Sequence, residues 1–308
     1  MYAMQFSINL SGLGARHYPA VSAVAEQHGF TAIWMPEHLI FPVDMPPMYS
    51  YTEDGYPPMN SRVPTFDPWV VLGAVASMTS TIKLGTGVYI LPLRHPIKAA
   101  RSVVTLDRMS NGRVLFGIGV GWMSDEFDIV GEDFSNRGRR TDEMIELMRK
   151  LWSDEVIEHR GEFYDIPPVY FEPKPVKGAD GIPIIVGGTS PAALKRAGTI
   201  GDGWTHHRQI RQGDRNEYLD RDFDELEQHI TTIRRHREEA ERTGPFEIVA
   251  GMGNEPSSIS RAADLGVTMY TIGPQVAGLR GTKDQFAEWI ETTGADTITA
   301  WSGDGAVS

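Results

Sequence analysis

The stretch Val-Leu-Phe-Gly-Ile at residues 114–118 is an uninterrupted apolar run, and Pro-Ile-Ile-Val at 183–186 has the same character. Strands of a parallel sheet have this composition because helices cover the outside of the sheet and side chains fill its inside. Between the two runs, apolar residues recur at helical spacing, at Met144, Leu147, Met148 and Leu151. This succession of strand, helix and strand indicates a parallel α/β fold.

The same alternation occurs eight times along the chain of 308 residues. The predicted strands are 5–10, 32–36, 83–90, 113–120, 183–187, 203–206, 247–250 and 268–273. The predicted helices are 17–28, 67–79, 96–109, 138–152, 190–200, 222–243, 255–265 and 282–293. Eight consecutive βα units are best satisfied by a closed (β/α)8 barrel, the TIM barrel, and we predict one such domain over residues 1–308.

Two insertions interrupt this pattern. Segment 39–66 follows strand 2, is rich in proline and contains Tyr49, Tyr51 and Tyr56; it is either a substrate lid or a surface excursion on the barrel rim. Segment 153–182 precedes strand 5 and is predicted to form a hairpin around residues 160–162 before a proline-rich stretch. Because proline cannot donate to a strand ladder, this segment is not expected to add a ninth barrel strand.

Composition excludes several classes of function. The formal net charge is −12 and no Lys/Arg-rich run is present, so nucleic acid and anionic membrane surfaces are not expected partners. The chain has no cysteine, which removes disulfides and thiolate metal ligands, and no His-Glu-x-x-His pattern occurs, so no metal site is expected. With neither a signal peptide nor a membrane-spanning apolar run, the expected location is the cytoplasm.

Chemistry in this fold is expected at the C-terminal ends of the strands. Strand 2 ends at Glu37 and His38, and a histidine beside a carboxylate can act as general acid or base near neutral pH. Strand 3 contains Thr86-Gly87-Val88, and strand 4 leads through Gly119 to Gly121. Glycines in strands mark either the close approach of a ligand or tight barrel packing. A flat cofactor ring against these two strands is therefore one of two interpretations.

The best candidate for an anion site follows strand 5, in the sequence Gly187-Gly188-Thr189-Ser190-Pro191. The segment has a glycine turn, a hydroxyl residue as N-cap and proline at the first helical position. This arrangement directs free N–H groups and the positive end of the helix dipole at one point. A cofactor phosphate could bind there, although ordinary helix capping explains the serine and the proline equally well. The loop is neither a Walker motif nor a dinucleotide fingerprint.

Other functions stay open from the residues alone. Glu126 and Glu255 follow strands 4 and 7, as the two carboxylates of a TIM-barrel glycoside hydrolase would. A barrel that binds a flavin without catalysis is a third possibility.

Several motifs resemble one known family. Four segments are similar to motifs of the luciferase-like monooxygenases: Leu-Gly-Thr-Gly-Val in strand 3, Arg94-His95-Pro96, the run 105–113, and Gly-Ile-Gly-Val-Gly-Trp at 117–122. Pro-Ile-Ile-Val-Gly-Gly-Thr-Ser-Pro at 183–191 extends the match, which covers essentially the whole chain. Within the family, the chain resembles the actinobacterial branch of probable coenzyme F420-dependent oxidoreductases.

The resemblance implies a bacterial-luciferase-like TIM barrel that carries out redox chemistry with a deazaflavin, coenzyme F420, or alternatively with FMN. It implies that His38 lies near the reactive face of the ring. We predict that His38 is the proton donor or acceptor and that Glu37 orients it. The resemblance also implies a non-prolyl cis peptide at Gly87–Val88 behind the ring, and a phosphate held by residues 187–190.

One departure from the family pattern concerns the substrate. In the sugar-phosphate dehydrogenase branch an acidic residue follows the strand-4 glycine, whereas this chain has Trp122 there, so a more apolar substrate is expected. A homodimer is expected for the family. A partner flavin reductase is expected if the enzyme is an FMN-dependent two-component monooxygenase.

Overall fold

The computed structural model describes residues 4–57, 59–206, 215–273 and 282–304. Its strands are β1 (Gln5–Asn9), β2 (Ala32–Met35), β3 (Lys83–Thr86), β4 (Tyr89–Ile90), β5 (Val114–Gly119), β6 (Ile157–Arg160), β7 (Asp165–Val169), β8 (Ile184–Gly187), β9 (Gly203–Thr205), β10 (Glu247–Ala250) and β11 (Met269–Ile272). Its α-helices are α1 (Tyr18–Gln27), α2 (Pro68–Ala76), α3 (Pro96–Ser110), α4 (Ser124–Val130), α5 (Arg137–Ser153), α6 (Pro191–Thr199), α7 (Arg215–Glu239), α8 (Pro256–Asp264), α9 (Lys283–Trp289) and α10 (Ala295–Asp304).

Parallel pairing closes eight of these strands into a barrel. Around the ring the order is β3, β2, β1, β11, β10, β9, β8 and β5, and pairing of β3 with β5 completes it. Beyond that point β4 pairs with β5, so the predicted strand 83–90 is divided in two at residues 87–88. The predicted TIM barrel is confirmed, and the other predicted strands end within one residue of the observed ones.

Two apolar layers hold the barrel together. Inside it, one cluster consists of Ala32, Trp34, Leu115, Ile185, Val249 and Met269. Between strands and helices, a larger cluster includes the predicted α5 stripe of Met144, Leu147, Met148 and Leu151, whose exposed fractions are all 0%. Each fully buried side chain of this size contributes about 1.5–3 kcal/mol through the hydrophobic effect. The stripe is therefore core packing, as its spacing predicted.

The two insertions differ in structure. β6 and β7 form a separate antiparallel hairpin in which Arg160 pairs with Asp165, which confirms the predicted excursion before strand 5. The described part of segment 39–66 contains neither a helix nor a strand element. Within the described ranges, no helix combines the length and the apolar character needed to cross a bilayer.

Three helical features differ from the sequence-based prediction; one is α10, Ala295–Asp304, which lies beyond the last predicted helix at 282–293. α7 begins at Arg215 and not at residue 222, because its polar first turns lack the apolar spacing on which the prediction relied. α4 was not predicted at all, since its seven residues are too short to show a period. This short helix carries a residue of the candidate active site.

Candidate active site

The carboxyl ends of β2 and β3 meet at one edge of the barrel mouth. Met35 pairs with Thr86 in the sheet register, and the Gly87 amide donates to the Met35 carbonyl at 2.8 Å. The Gly87–Val88 peptide is cis, as the family resemblance implied. Parallel pairing thus brings His38, three residues beyond Met35, to the same edge as residues 86–88.

His38 is held by a carboxylate from a different part of the chain. Its Nδ1 lies 3.0 Å from Oε2 of Glu126 on α4, while the backbone amides of Leu39 and Ile40 donate to Oε1 of the same carboxylate. The Glu126 side chain is 1% exposed and the His38 side chain is 15% exposed. The carboxylate is therefore enclosed while the imidazole reaches the surface of the mouth. We call these two residues the His38–Glu126 pair.

The expectation that Glu37 orients His38 is wrong. The buried Glu37 carboxylate instead pairs with the Arg94 guanidinium through both oxygens and accepts from the Ile90 amide at 2.8 Å. The physical reason is that successive side chains of an extended segment point to opposite sides, so Glu37 and His38 face different neighbours. Burial raises the pKa of Glu37 to about 7, against the opposing attraction of Arg94. Glu37 ties the end of β2 to the turn after β4.

The predicted anion loop lies at the start of α6. The Ser190 hydroxyl accepts from the Ala193 amide at 3.3 Å and caps the helix, and Gly188 has a positive φ of 111°. The Trp204 indole N–H donates to the Gly188 carbonyl at 2.8 Å and fixes this peptide. The Tyr51 hydroxyl, from segment 39–66, is hydrogen-bonded to the side chain and the backbone of Thr189. The predicted anion loop therefore binds the hydroxyl oxygen of a residue from segment 39–66.

Gly119 and Gly121 have packing reasons of their own. A Cβ at Gly119 would stand 2.6 Å from Val88 Cγ2, and one at Gly121 would stand 2.7 Å from the Phe127 ring. Such distances are far inside van der Waals contact, so larger residues do not fit at either position. The tight-packing interpretation accounts for both glycines, and contact of their backbone with a cofactor stays a prediction.

Aromatic side chains surround His38. The rings of Phe41 and Trp122 have centroids 4.7 and 5.8 Å from that of His38. The Tyr49 ring lies 5.0 Å from that of Trp122 and 5.4 Å from that of Tyr51. Three of these rings belong to segment 39–66, which thus lies beside the strand ends from His38 across to the anion loop.

The surroundings of its two carboxylates do not favour the hydrolase alternative. Glu126 is occupied by His38 and two backbone amides, whereas Glu255 is exposed at the N-cap of α8. A glycosidase requires both groups to face one sugar ring. Nor does any cluster of three or more His, Asp or Glu side chains in the described ranges suit a metal ion.

Comparison with known proteins agrees with this geometry. Residues 7–253 match the family described as luciferase-like monooxygenase. The chain belongs to this family. The prediction of an oxidoreductase is thereby confirmed at the level of the family, and the glycoside hydrolase is not favoured.

Individual relatives differ in how much is known of them. An uncharacterised protein of Mycobacterium tuberculosis is 32% identical over 287 residues, which is 90% of this chain and 94% of that protein. An F420-dependent glucose-6-phosphate dehydrogenase of Nakamurella multipartita is 32% identical over 189 residues, covering 60% of this chain and 50% of that enzyme. The structure of the coenzyme F420-dependent tetrahydromethanopterin reductase from Methanopyrus kandleri matches with a TM-score of 0.67 at 18% identity, over 94% of this chain and 98% of that one.

Sequence reasoning missed three contacts at this site. Arg94 appeared only within a motif, with no sign that it would neutralise Glu37. Glu126 was considered only as half of a hydrolase pair, because the helix that carries it was not predicted. The bond from Tyr51 to Thr189 joins residues far apart in the chain, and no local pattern signals it.

Proposed function

We propose that this protein is a coenzyme F420-dependent oxidoreductase that transfers a hydride between the deazaflavin and a small organic substrate. The observation that carries the proposal is the His38–Glu126 pair, a part-exposed imidazole held by an enclosed carboxylate beside the Gly87–Val88 peptide. The named activity of the Nakamurella relative supports the choice of cofactor.

The residues present fit such a cofactor. The α6 N-terminus offers amides for a phosphate; the Thr189 amide bonds the Tyr51 oxygen, and a phosphate bound there would take the place of that hydroxyl. Residues 187–190 would hold the phosphate, and the backbone of Thr86, Gly87 and Val88 would support the ring, with Gly119 and Gly121 on the neighbouring strand. When bound, the deazaflavin supplies the hydride donor or acceptor.

His38 would carry the proton that accompanies hydride transfer. Because Nδ1 is bonded to Glu126, the tautomer is set so that Nε2 exchanges the proton with the substrate. In the oxidative direction Nε2 accepts the proton of a substrate hydroxyl as the adjacent C–H bond breaks and a carbonyl forms. In the reductive direction His38 returns that proton to the oxygen.

Titration of the purified protein with F420 and with FMN, each followed by quenching of its fluorescence, tests the proposal. Micromolar or tighter binding of F420 in preference to FMN is the expected result. Preference for FMN would overturn the F420 assignment in favour of a two-component monooxygenase with a partner flavin reductase. Binding of neither would exclude both redox functions.

Three further predictions complete the proposal. We infer a homodimer, a cytoplasmic location and one domain over residues 1–308. Light scattering at several protein concentrations checks the homodimer. Cell fractionation checks the location, and limited proteolysis checks the single domain.

A further inference from the structure

We infer that the substrate is an uncharged alcohol or carbonyl compound with a flat apolar ring, and that Trp122 is the residue that selects it. The inference rests on the proposed function, because it concerns the compound whose proton His38 exchanges. It comes from the aromatic side chains that surround the imidazole and from the charges near them.

We define the aromatic wall as Phe41, Tyr49 and Trp122: Phe41 and Trp122 both contact His38, and Tyr49 contacts Trp122. The Trp122 ring stands edge-on both to His38, at an interplanar angle of 78°, and to Tyr49, at 71°. Each of the three residues is partly exposed. A planar apolar group beside His38 would therefore meet ring faces and edges, which favour stacking and T-shaped contacts.

The wall is held in place from two directions. Tyr51, next to the wall through its contact with Tyr49, is bonded to Thr189 in the anion loop. At its other end the segment begins at Leu39, whose amide donates to Glu126. The wall is thus connected to the proposed cofactor loop and to the proposed acid–base pair, so a molecule bound against it would lie between them.

Among the described residues, two arginines are already engaged: Arg94 beside Glu37 and Arg137 beside Gly121. Arg94 is paired with Glu37 and also donates to the Ile90 carbonyl. Arg137 donates to the carbonyls of Gly121 and Phe134. An anionic substrate such as a sugar phosphate would have to compete for these two guanidinium groups, whereas an uncharged ring compound needs neither.

The binding of two contrasting probes tests the inference. Benzyl alcohol is the uncharged ring compound, and glucose 6-phosphate is the charged polar compound. Saturation-transfer NMR and calorimetry measure the binding of each to the full chain, with and without F420. We expect benzyl alcohol to bind and glucose 6-phosphate to bind at least about 10-fold more weakly.

Two variants assign the selection to Trp122. Replacement Trp122→Ala is expected to weaken benzyl alcohol binding about 10-fold, which corresponds to about 1.4 kcal/mol, while Trp122→Phe keeps most of it. Both variants should keep wild-type F420 affinity and circular dichroism. Equal binding of benzyl alcohol by wild type and Trp122→Ala would overturn the inference, and so would preferential binding of glucose 6-phosphate.

The two proposals fail separately. Loss of the F420 signal with normal benzyl alcohol selectivity would overturn the proposed cofactor and leave the aromatic wall supported. Normal F420 binding without selectivity for the ring compound would overturn the wall alone.

Discussion

Two of the glutamate–histidine pairs in this molecule, each between residues far apart in the chain or on different elements, have nearly the same bond length and opposite surroundings. In the His38–Glu126 pair, Nδ1 lies 3.0 Å from Oε2, and in the pair formed by His159 and Glu143, Nε2 lies 3.1 Å from Oε1. The first histidine side chain is 15% exposed, whereas the second is 2% exposed. A short bond between imidazole and carboxylate therefore does not by itself identify acid–base chemistry.

What separates the pairs is what else each carboxylate binds. Glu143 on α5 accepts from the amides of Glu162, Phe163 and Tyr164, and so anchors the turn of the β6–β7 hairpin. Glu126 accepts from two amides that position the residues just after His38. One pair fastens a hairpin against a helix, and the other presents an imidazole at the mouth of the barrel.

The largest expected contrast comes from replacing each histidine by alanine. His38→Ala should lower kcat by roughly 100-fold or more and leave F420 affinity nearly unchanged, because it removes a general acid or base and no cofactor contact. His159→Ala should lower the melting temperature and leave kcat per folded molecule within about 2-fold, since its ring lies in the hairpin anchor. Steady-state kinetics and thermal unfolding of both variants check this, and unchanged turnover in His38→Ala would remove His38 from the mechanism.

Removing the anchoring carboxylate tests the structural half of the comparison. Glu143→Ala should lower the free energy of unfolding by about 2–3 kcal/mol, because the hairpin amides and His159 lose their acceptor. Glu158→Ala is the matched control: Glu158 lies on β6 of the same hairpin, is 53% exposed and pairs with Arg160, so its loss should cost less than about 1 kcal/mol. Denaturant titration measures both. Equal losses would show that Glu143 is not the anchor.

We expect Glu126, the carboxylate of the proposed catalytic pair, to affect turnover only by positioning His38. Glu126→Gln is expected to lower kcat about 10-fold with little change in F420 affinity, because the amide can no longer hold the same tautomer as a carboxylate does. The pH profile of kcat should also shift, which a purely structural role would not cause. Glu255→Gln, at an exposed glutamate, serves as control and should leave kcat unchanged. An equal loss of kcat in both variants would show that Glu126 does not act through His38.

The smallest expected effect is a pH dependence of the hairpin anchor. Burial raises the pKa of Glu143, but the amides of Phe163 and Tyr164 outweigh it and hold the pKa below its usual value. A lowered pKa in the folded state means that the stabilisation is complete above the unfolded pKa of about 4.3 and is lost as pH falls through the folded pKa. The difference in unfolding free energy between wild type and Glu143→Gln should therefore be constant above about pH 5 and shrink below about pH 4. A difference that grows on acidification would contradict the assignment.

The sequence predicted the positions of the site residues correctly but not the partner of His38. The strand ends were located correctly because apolar runs such as 114–118 and 183–186 reflect burial on both faces, so His38, residues 86–88 and residues 187–190 lie at the predicted edge. The partner of His38 was wrong, because Glu37 is its neighbour along the chain and Glu126 its neighbour in space. α4, which brings Glu126 there, is too short for its periodicity to be read.

Local composition and periodicity by themselves determined the barrel, its strands and its two insertions, because burial imposes those patterns within a few residues of chain. The family motifs added the cis peptide at Gly87–Val88, which the structure contains. Only the tertiary structure decided which carboxylate meets which histidine, that Arg94 neutralises Glu37, and that Tyr51 reaches Thr189. These contacts join residues tens of positions apart, and the geometry that brings them within hydrogen-bond range exists only once the barrel has closed.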